Sequence, residues 1–513
     1  MHELTHANGP TAGYEWAEVN WTKVNRVVKN LRQRIFRATL AGDLKKVRSL
    51  QKLMLRSRSN AMQSVRRVTQ QNKGKNTPGA DGIVVRTDRA REKMVETLLS
   101  HRSWRVQPVR RVYIPKANNK QRPLGIPTIF CRCRQAMAKN ALEPEWEARF
   151  ESTSYGFRPG RSCQDAIARI ATLAWGNRRK KWVIDADIEG AFDNISHAHL
   201  LKAIGHFPAR DLIRQWLKAG YMEMGRLHAT PAGTPQGGVI SPLLANIALH
   251  GMEQALSIRR DGFGHSHQGS RAVVRYADDF VVFCESRADA AVCVQILQRW
   301  LAKRGLRLSE EKTRIVHLQD GFDFLGFNIR HYRDRRTQSG WKLLITPSKE
   351  SIAQVKEKLR AIWRQGLHLP LKALIGRLNS VIRGWAYYFR TQVATKTFNG
   401  LDTWMFHRQL RFVKHRHSRK TWKWLRSHYW GQLHPTRRDQ WVFGVLTTGL
   451  YLQKFRWVSI RRHTMVKGSA SPDDSLLRAY WDKRKARAER LCALPYPGAS
   501  FSAARLLDDE CGS

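Results

Sequence analysis

The chain has 513 residues, with 91 Lys and Arg against 41 Asp and Glu, a formal net charge of +50 and a pI near 10.9. Such a field binds polyanions non-specifically and steers them in. No apolar run reaches membrane-spanning length, and residues 1–10 lack the charged-then-apolar order of a signal peptide, which leaves nucleic acid rather than a membrane as the expected polyanion.

In chain order, Val24, Val27, Val28, Leu31 and Ile35 recur at helical spacing. Gly42-Asp43 breaks the run, and Leu44, Val47, Leu50 and Leu53 resume it, predicting two amphipathic helices over 20–56. Residues 73–82 (KGKNTPGADG) read as a polar loop. Lys116 and Arg122 flank a polar turn, Ala117-Asn118-Asn119-Lys120, between two apolar stretches. A hairpin tip carrying cations suits a triphosphate, and a solvated basic turn has the same letters. In YGFRPGRS, Arg158 and Arg161 suit phosphate contacts, with Gly156 and Gly160 allowing close backbone approach.

The run WVIDADIEGAFDNISH (182–197) reads as a strand with Val183, Asp185 and Asp187 on one face, followed by a turn at Gly190. Asp193 reads as an N-cap or structural carboxylate. Pro235-Gln236-Gly237-Gly238 precedes an apolar helix over 239–249, and Gln236 offers both donor and acceptor. RAVVRYADDFVVFCE (271–285) is strand, turn, strand, with Asp278 and Asp279 at the tip. Two carboxylates among buried strands call for a cation, and hard oxygen ligands suit Mg²⁺. A plain surface turn is the alternative. Lys312 in EEKT fits either a charge donor or a solvent-facing helix end. Phe324-Leu325-Gly326-Phe327 reads as a strand turn, either a substrate grip or core.

The unit DxxxxFD ahead of YxDD resembles the palm of reverse transcriptases. Blocks 110–135, 154–167, 233–253, 306–318 and 322–330, then LNSVIRGWAYYFR (378–390) and residues 403–430, resemble in order those of group II intron-encoded reverse transcriptases, the maturases. The resemblance covers roughly 20–490. It implies an α+β right-hand polymerase: an N-terminal helical extension (1–60), fingers and palm (61–335), a helical thumb or maturase domain (345–430), a small basic DNA-binding-like domain (431–490) and a disordered tail (491–513). It implies that Asp187, Asp278 and Asp279 are catalytic and bind two Mg²⁺ ions, replaceable by Mn²⁺ in vitro, with the Ile188 carbonyl completing the metal shell. The same resemblance implies that Phe192 lies under the sugar and disfavours a 2′-OH. Lys116, Arg122, Gln236 and Lys312 are expected to attend the nucleotide, and Arg158 and Arg161 the template. The implied partners are intron RNA, an RNA template with a DNA primer, dNTPs and a DNA target, in the bacterial cytoplasm near the nucleoid.

Residues 401–470 carry fifteen Lys or Arg, and the acids there are Asp402 and Asp439. Arg408, Arg411, Lys414, Arg416, Arg419 and Lys420 crowd one helical stretch, where like charges repel unless an anion compensates them. Trp404, Trp422, Trp424, Trp430, Trp441 and Trp457 interleave, for base stacking or for core, with core expected for at least half. Short β-rich runs, WVFGVL and WVSI, follow. The seven cysteines are scattered without a CxxC pair, so reduced thiols and no zinc are expected. Many relatives continue into an H-N-H endonuclease with paired cysteines, and this sequence has no counterpart, so target-strand cleavage is not expected. Two further readings are a splicing-only RNA-binding maturase and a host-domesticated reverse transcriptase.

Overall fold

A computed structural model describes residues 15–100, 104–115, 121–176, 178–259, 269 and 271–492. The two amphipathic helices are Trp21–Leu40 and Leu44–Arg56, capped by the side chains of Asn20 and Asp43 and separated at Gly42, whose φ of +72° suits glycine. Their apolar stripes, including Leu31, Ile35, Leu50 and Met54, enter one core with Ala138 and Leu142 of the helix Ile129–Glu147.

Val109–Pro115 and Gln121–Ile126 form the expected antiparallel hairpin, widened by Tyr221–Glu223 and Arg226–His228 into a four-stranded fingers sheet. The hairpin tip with Lys116 lies outside the described residues.

The palm sheet runs Ala272–Tyr276, Asp279–Cys284, Trp182–Ala186, Arg314–His317, all antiparallel. Both faces are covered. Ile184, Phe280 and Val282 point into the core shared with the N-terminal helices, while Val183, Val281 and Phe283 point into a second core shared with the thumb. Apolar residues are therefore needed at successive positions, and each buried Val or Phe contributes about 1.5–3 kcal/mol. This two-sided burial fixes the ends of the central strands, where the acidic residues sit.

A three-stranded sheet (Phe322–Phe324, Phe327–Arg333, Trp341–Pro347) leads from palm to thumb. Its first turn has φ +48° at Leu325 and +77° at Gly326, and the turn carbonyls accept hydrogen bonds from Tyr388 Oη (2.9 Å), Ser351 Oγ (3.1 Å) and the Ser348 nitrogen (2.9 Å). Phe324 and Phe327 are core, so this turn is a palm–thumb joint. The thumb consists of Lys349–Gln365, Leu371–Phe389, Thr395–Arg416 and Trp422–Tyr429.

The basic segment after the thumb builds no separate core. Its small strands Trp430–Gly431, Val442–Val445 and Leu450–Tyr451 pack Phe443, Leu452 and Phe455 into the thumb core. The WVSI run is not a strand, because Phe455–Trp457 is a 3₁₀ turn whose first nitrogen is held at 2.7 Å by the Asp402 carboxylate. Residues 461–477 then return as a strap across the back of the palm. Buried Asp165 accepts hydrogen bonds from His463 (2.8 Å), the Val466 nitrogen (2.8 Å) and Arg484 (3.2 Å). Arg32 pairs with Asp473 at 2.6 Å and Glu143 at 2.9 Å. The last helix, Arg478–Cys492, extends into the segment expected as a tail; residues 493–513 lie outside the described residues.

Candidate active site and nucleic-acid surface

Trp182–Ala186 pairs with Asp279–Cys284 so that Ala186 faces Phe280, and the next step of that register sets Asp187 beside Asp279. Tyr276 pairs with Asp279, which makes Ala277 and Asp278 the two turn residues. Ala277 has φ +58°, a strained value for a residue with a side chain. Three carboxylates thus converge at adjacent strand ends. Asp278 is held above the ordinary carboxylate range by burial and then by the charge of Asp187. Asp279 keeps solvent contact, yet it is raised to about 7, first by desolvation and then by Asp278 and Asp187. Asp185 is raised to about 6 by burial, partly offset by Arg314.

Mutual repulsion of this kind is relieved by a divalent cation, and an all-oxygen donor set fits Mg²⁺. Ile188 forms a lone bridge to Leu308 in which the flanking Asp187 carbonyl and Glu189 nitrogen make the hydrogen bonds. The Ile188 carbonyl itself therefore points away from that partner strand. Among the described residues, the group of acidic and thiol side chains whose donor atoms lie within 4.8 Å of one another is Cys284, Asp289 and Cys293. There Arg271 forks onto Asp289, and the thiols contact each other at 3.9 Å.

Lys312 lies in a turn rather than at a helix end, and its ammonium donates to Asp187 Oδ2. That bond raises its pKa above the usual lysine value. Arg122, on the fingers strand, stands near enough to Asp278 for its charge to offset part of the shift. Phe192 is half-buried against the palm core and meets Phe157 edge-on at 6.2 Å. Gln236 Nε2 donates to Asp193 Oδ2 at 3.1 Å, and the Gln236 backbone carbonyl accepts from the Gly125 nitrogen at 2.6 Å. A Cβ at Gly237 would stand 2.8 Å from the Gly125 oxygen, so the glycine there admits the fingers strand.

Two expectations are corrected. Arg158 and Arg161 do not face a template: they are 1% and 3% exposed. Arg158 forks onto Glu147 at 3.0 and 2.9 Å and also donates to the carbonyls of Glu151 and Ser154. Arg161 donates to the carbonyls of Ser152 (2.9 Å) and Gly468 (2.8 Å), tying the strap down. The nearby glycines serve protein packing too. A Cβ would stand 2.4 Å from the Ala277 nitrogen at Gly156, and 2.6 Å from the Trp481 ring at Gly160.

Comparisons with known proteins assign the segments. The family "Reverse transcriptase (RNA-dependent DNA polymerase)" matches residues 114–329, "N-terminal domain of reverse transcriptase" matches 16–98, and "Group II intron, maturase-specific domain" matches 352–430. Protein YkfC of Escherichia coli (strain K12) is 36% identical over 337 residues, 58% of this chain and 87% of that one. Group II intron-encoded protein LtrA of Lactococcus lactis subsp. cremoris is 32% identical over 357 residues, 56% of this chain and 58% of LtrA. The chain belongs to the group II intron-encoded reverse transcriptases and maturases. It spans a little over half of LtrA, and 45% of a 29% identical protein in the cob intron of Schizosaccharomyces pombe.

In this reverse transcriptase and maturase, Arg411, Lys414, Arg416, Arg419 and Lys420 are exposed at the end of Thr395–Arg416 and just beyond it, with Arg408 half-buried over Trp404. The aromatic residues divide. Trp430 is buried, Trp404 and Trp424 pack at the edge of the core, Trp457 is half-buried, and Trp422 and Trp441 remain 44% and 40% exposed. No helix among the described residues is long and apolar enough to cross a membrane. Sequence reasoning missed Arg275 and Asn246, buried polar residues behind the Ala277–Asp278 turn. Their only signal was a charged or polar letter inside an apolar run.

Proposed function

We propose that the protein copies RNA into DNA by nucleotidyl transfer at Asp187, Asp278 and Asp279, and that it also binds its intron RNA to promote splicing. The observation that carries this is the convergence of three mutually repelling carboxylates at the strand ends of a palm that continues into a maturase-specific domain. Asp187, Asp278, Asp279 and the Ile188 carbonyl would hold two Mg²⁺ ions, which when bound would supply charge stabilisation for the phosphoryl transfer. Phe192 borders the sugar and excludes a 2′-OH. Arg122 draws the triphosphate onto the palm, Gln236 orients the nucleotide from the loop, and Lys312 delivers positive charge or a proton to departing pyrophosphate.

The cations from Arg408 to Lys420 compensate intron phosphates. A DNA target and a nucleoid setting follow from the same basic field.

The test uses one variant with Arg411, Lys414, Arg416, Arg419 and Lys420 changed to Gln. Intron splicing at near-physiological magnesium is measured beside short-primer extension. Splicing and the salt dependence of RNA binding are expected to fall, and extension to suffer less. If splicing holds while extension collapses, this segment grips primer–template only, and the maturase role fails at this surface.

A further inference from the structure

Arg275 is 2% exposed and Asn246 1% exposed, yet neither has a role in the chemistry above. A buried guanidinium is costly unless compensated. Arg275 sits in the strand Ala272–Tyr276 and reaches the turn just beyond it. Its Nη1 donates to the Ala277 carbonyl at 3.1 Å and to Asn246 Oδ1 at 2.9 Å. Asn246, on the helix Ser241–Ala248, in turn donates Nδ2 to the Gly156 carbonyl at 2.8 Å. The backbone closes the same loop: the Arg275 nitrogen donates to Thr153 and its carbonyl accepts from Tyr155, both at 2.9 Å. Gly156 presses on the turn so closely that a Cβ would fall 2.9 Å from the Tyr276 carbonyl carbon. Glu151 and Glu253 offset the buried charge.

Stability alone does not account for this set. The Arg275 Nε and Nη2 atoms are buried without a hydrogen-bond partner among the described residues, so the side chain is poorly satisfied as a structural ion. What it does satisfy, besides Asn246 Oδ1, is the Ala277 carbonyl inside the strained turn.

We propose that Arg275 and Asn246 are positioning residues. They clamp the Ala277 peptide in its left-handed conformation and so set the distance of Asp278 and Asp279 from Asp187. This rests on the polymerase reading, and wild-type Mg²⁺-dependent primer extension checks that reading separately. Carboxylates that share a divalent ion tolerate little displacement, and a misplacement of about 1 Å costs up to roughly 100-fold in rate.

The experiment is single-nucleotide addition by the full chain across a Mg²⁺ titration for wild type, Arg275→Lys, Arg275→Met and Asn246→Ala, with thermal midpoint and RNA affinity measured on the same samples. Asn246→Ala breaks the link from a different element and keeps the test available if Arg275→Met does not fold. The expected result is a kcat lower by about tenfold or more, a Mg²⁺ midpoint raised several-fold, and a dNTP KM changed less than about twofold, at retained RNA affinity. Arg275→Lys is expected to rescue kcat only in part, since one ammonium cannot hold both acceptors in the same geometry. An unchanged kcat and Mg²⁺ midpoint in folded Asn246→Ala and Arg275→Lys would overturn the proposal. So would losses that track thermal stability alone.

Discussion

The Lys312 ammonium rests on the Asp187 carboxylate, beside the turn that carries Asp278 and Asp279. A lysine in that place competes with a divalent cation for the same oxygen. In the proposed reaction it would also meet the charge of the leaving group.

Lys312→Ala is therefore expected to lower kcat for nucleotide addition by about 100-fold, while the Mg²⁺ needed for half-maximal rate stays the same or falls. Lys312→Arg should keep part of the rate. Magnesium titrations with saturating dNTP check this. A solvent-facing lysine with no role would leave both quantities unchanged.

Phe192 follows Asp187 by five residues and is half-buried at the edge of the palm core. Phe192→Val opens space beside the sugar and is expected to raise ribonucleotide use relative to deoxyribonucleotide use by about tenfold or more. Matched single-nucleotide kinetics with a dNTP and its rNTP measure the ratio. An unchanged ratio at normal activity reassigns Phe192 to packing.

Arg158 is a buried half of an ion pair with Glu147, both side chains 1% exposed. Arg158→Ala leaves that carboxylate buried and uncompensated, a loss of about 3–5 kcal/mol. Urea unfolding should show the loss, while the protein that remains folded should bind RNA as before. Weaker RNA binding at unchanged stability would return Arg158 to the nucleic-acid surface.

Arg158 and Arg161 show where the sequence was hard to read. The Asp187 and YADD segments were legible because a carboxylate inside a β-rich run stands out locally. An arginine in a Gly- and Pro-containing loop looks like a surface cation, and nothing in its neighbours names Glu147 or the Gly468 carbonyl as its partner. The strap was hidden for the same reason. Asp165 meets His463 and Arg484 across about three hundred residues, and no periodicity reports so distant a contact. The two N-terminal helices and the fingers hairpin were legible because their signals are local spacing and turn chemistry.

The strap also gives a pH dependence. Burial raises the Asp165 pKa, but the hydrogen bond from His463 and the charges of His463 and Arg484 outweigh it, leaving it lowered from the ordinary carboxylate value. A lowered carboxylate pKa contributes stability that is present above the unfolded value of about 3.9 and lost as the pH falls through the folded one. Asp165→Asn is thus expected to destabilise the protein by about 2–3 kcal/mol at neutral pH and to expose residues 461–477 to limited proteolysis. The gap from wild type should narrow below about pH 4. A gap that is constant down to pH 3 would contradict this assignment.

The most direct measurement is extension of a DNA primer annealed to an RNA template, with Mg²⁺ and dNTPs, by wild type, Asp187→Ala and Asp278→Asn. RNA affinity is read on the same preparations. The wild type is predicted to extend, and both variants to lose extension while RNA affinity stays within about twofold, because most of the binding charge lies away from the palm. Undiminished extension by either variant would contradict the account.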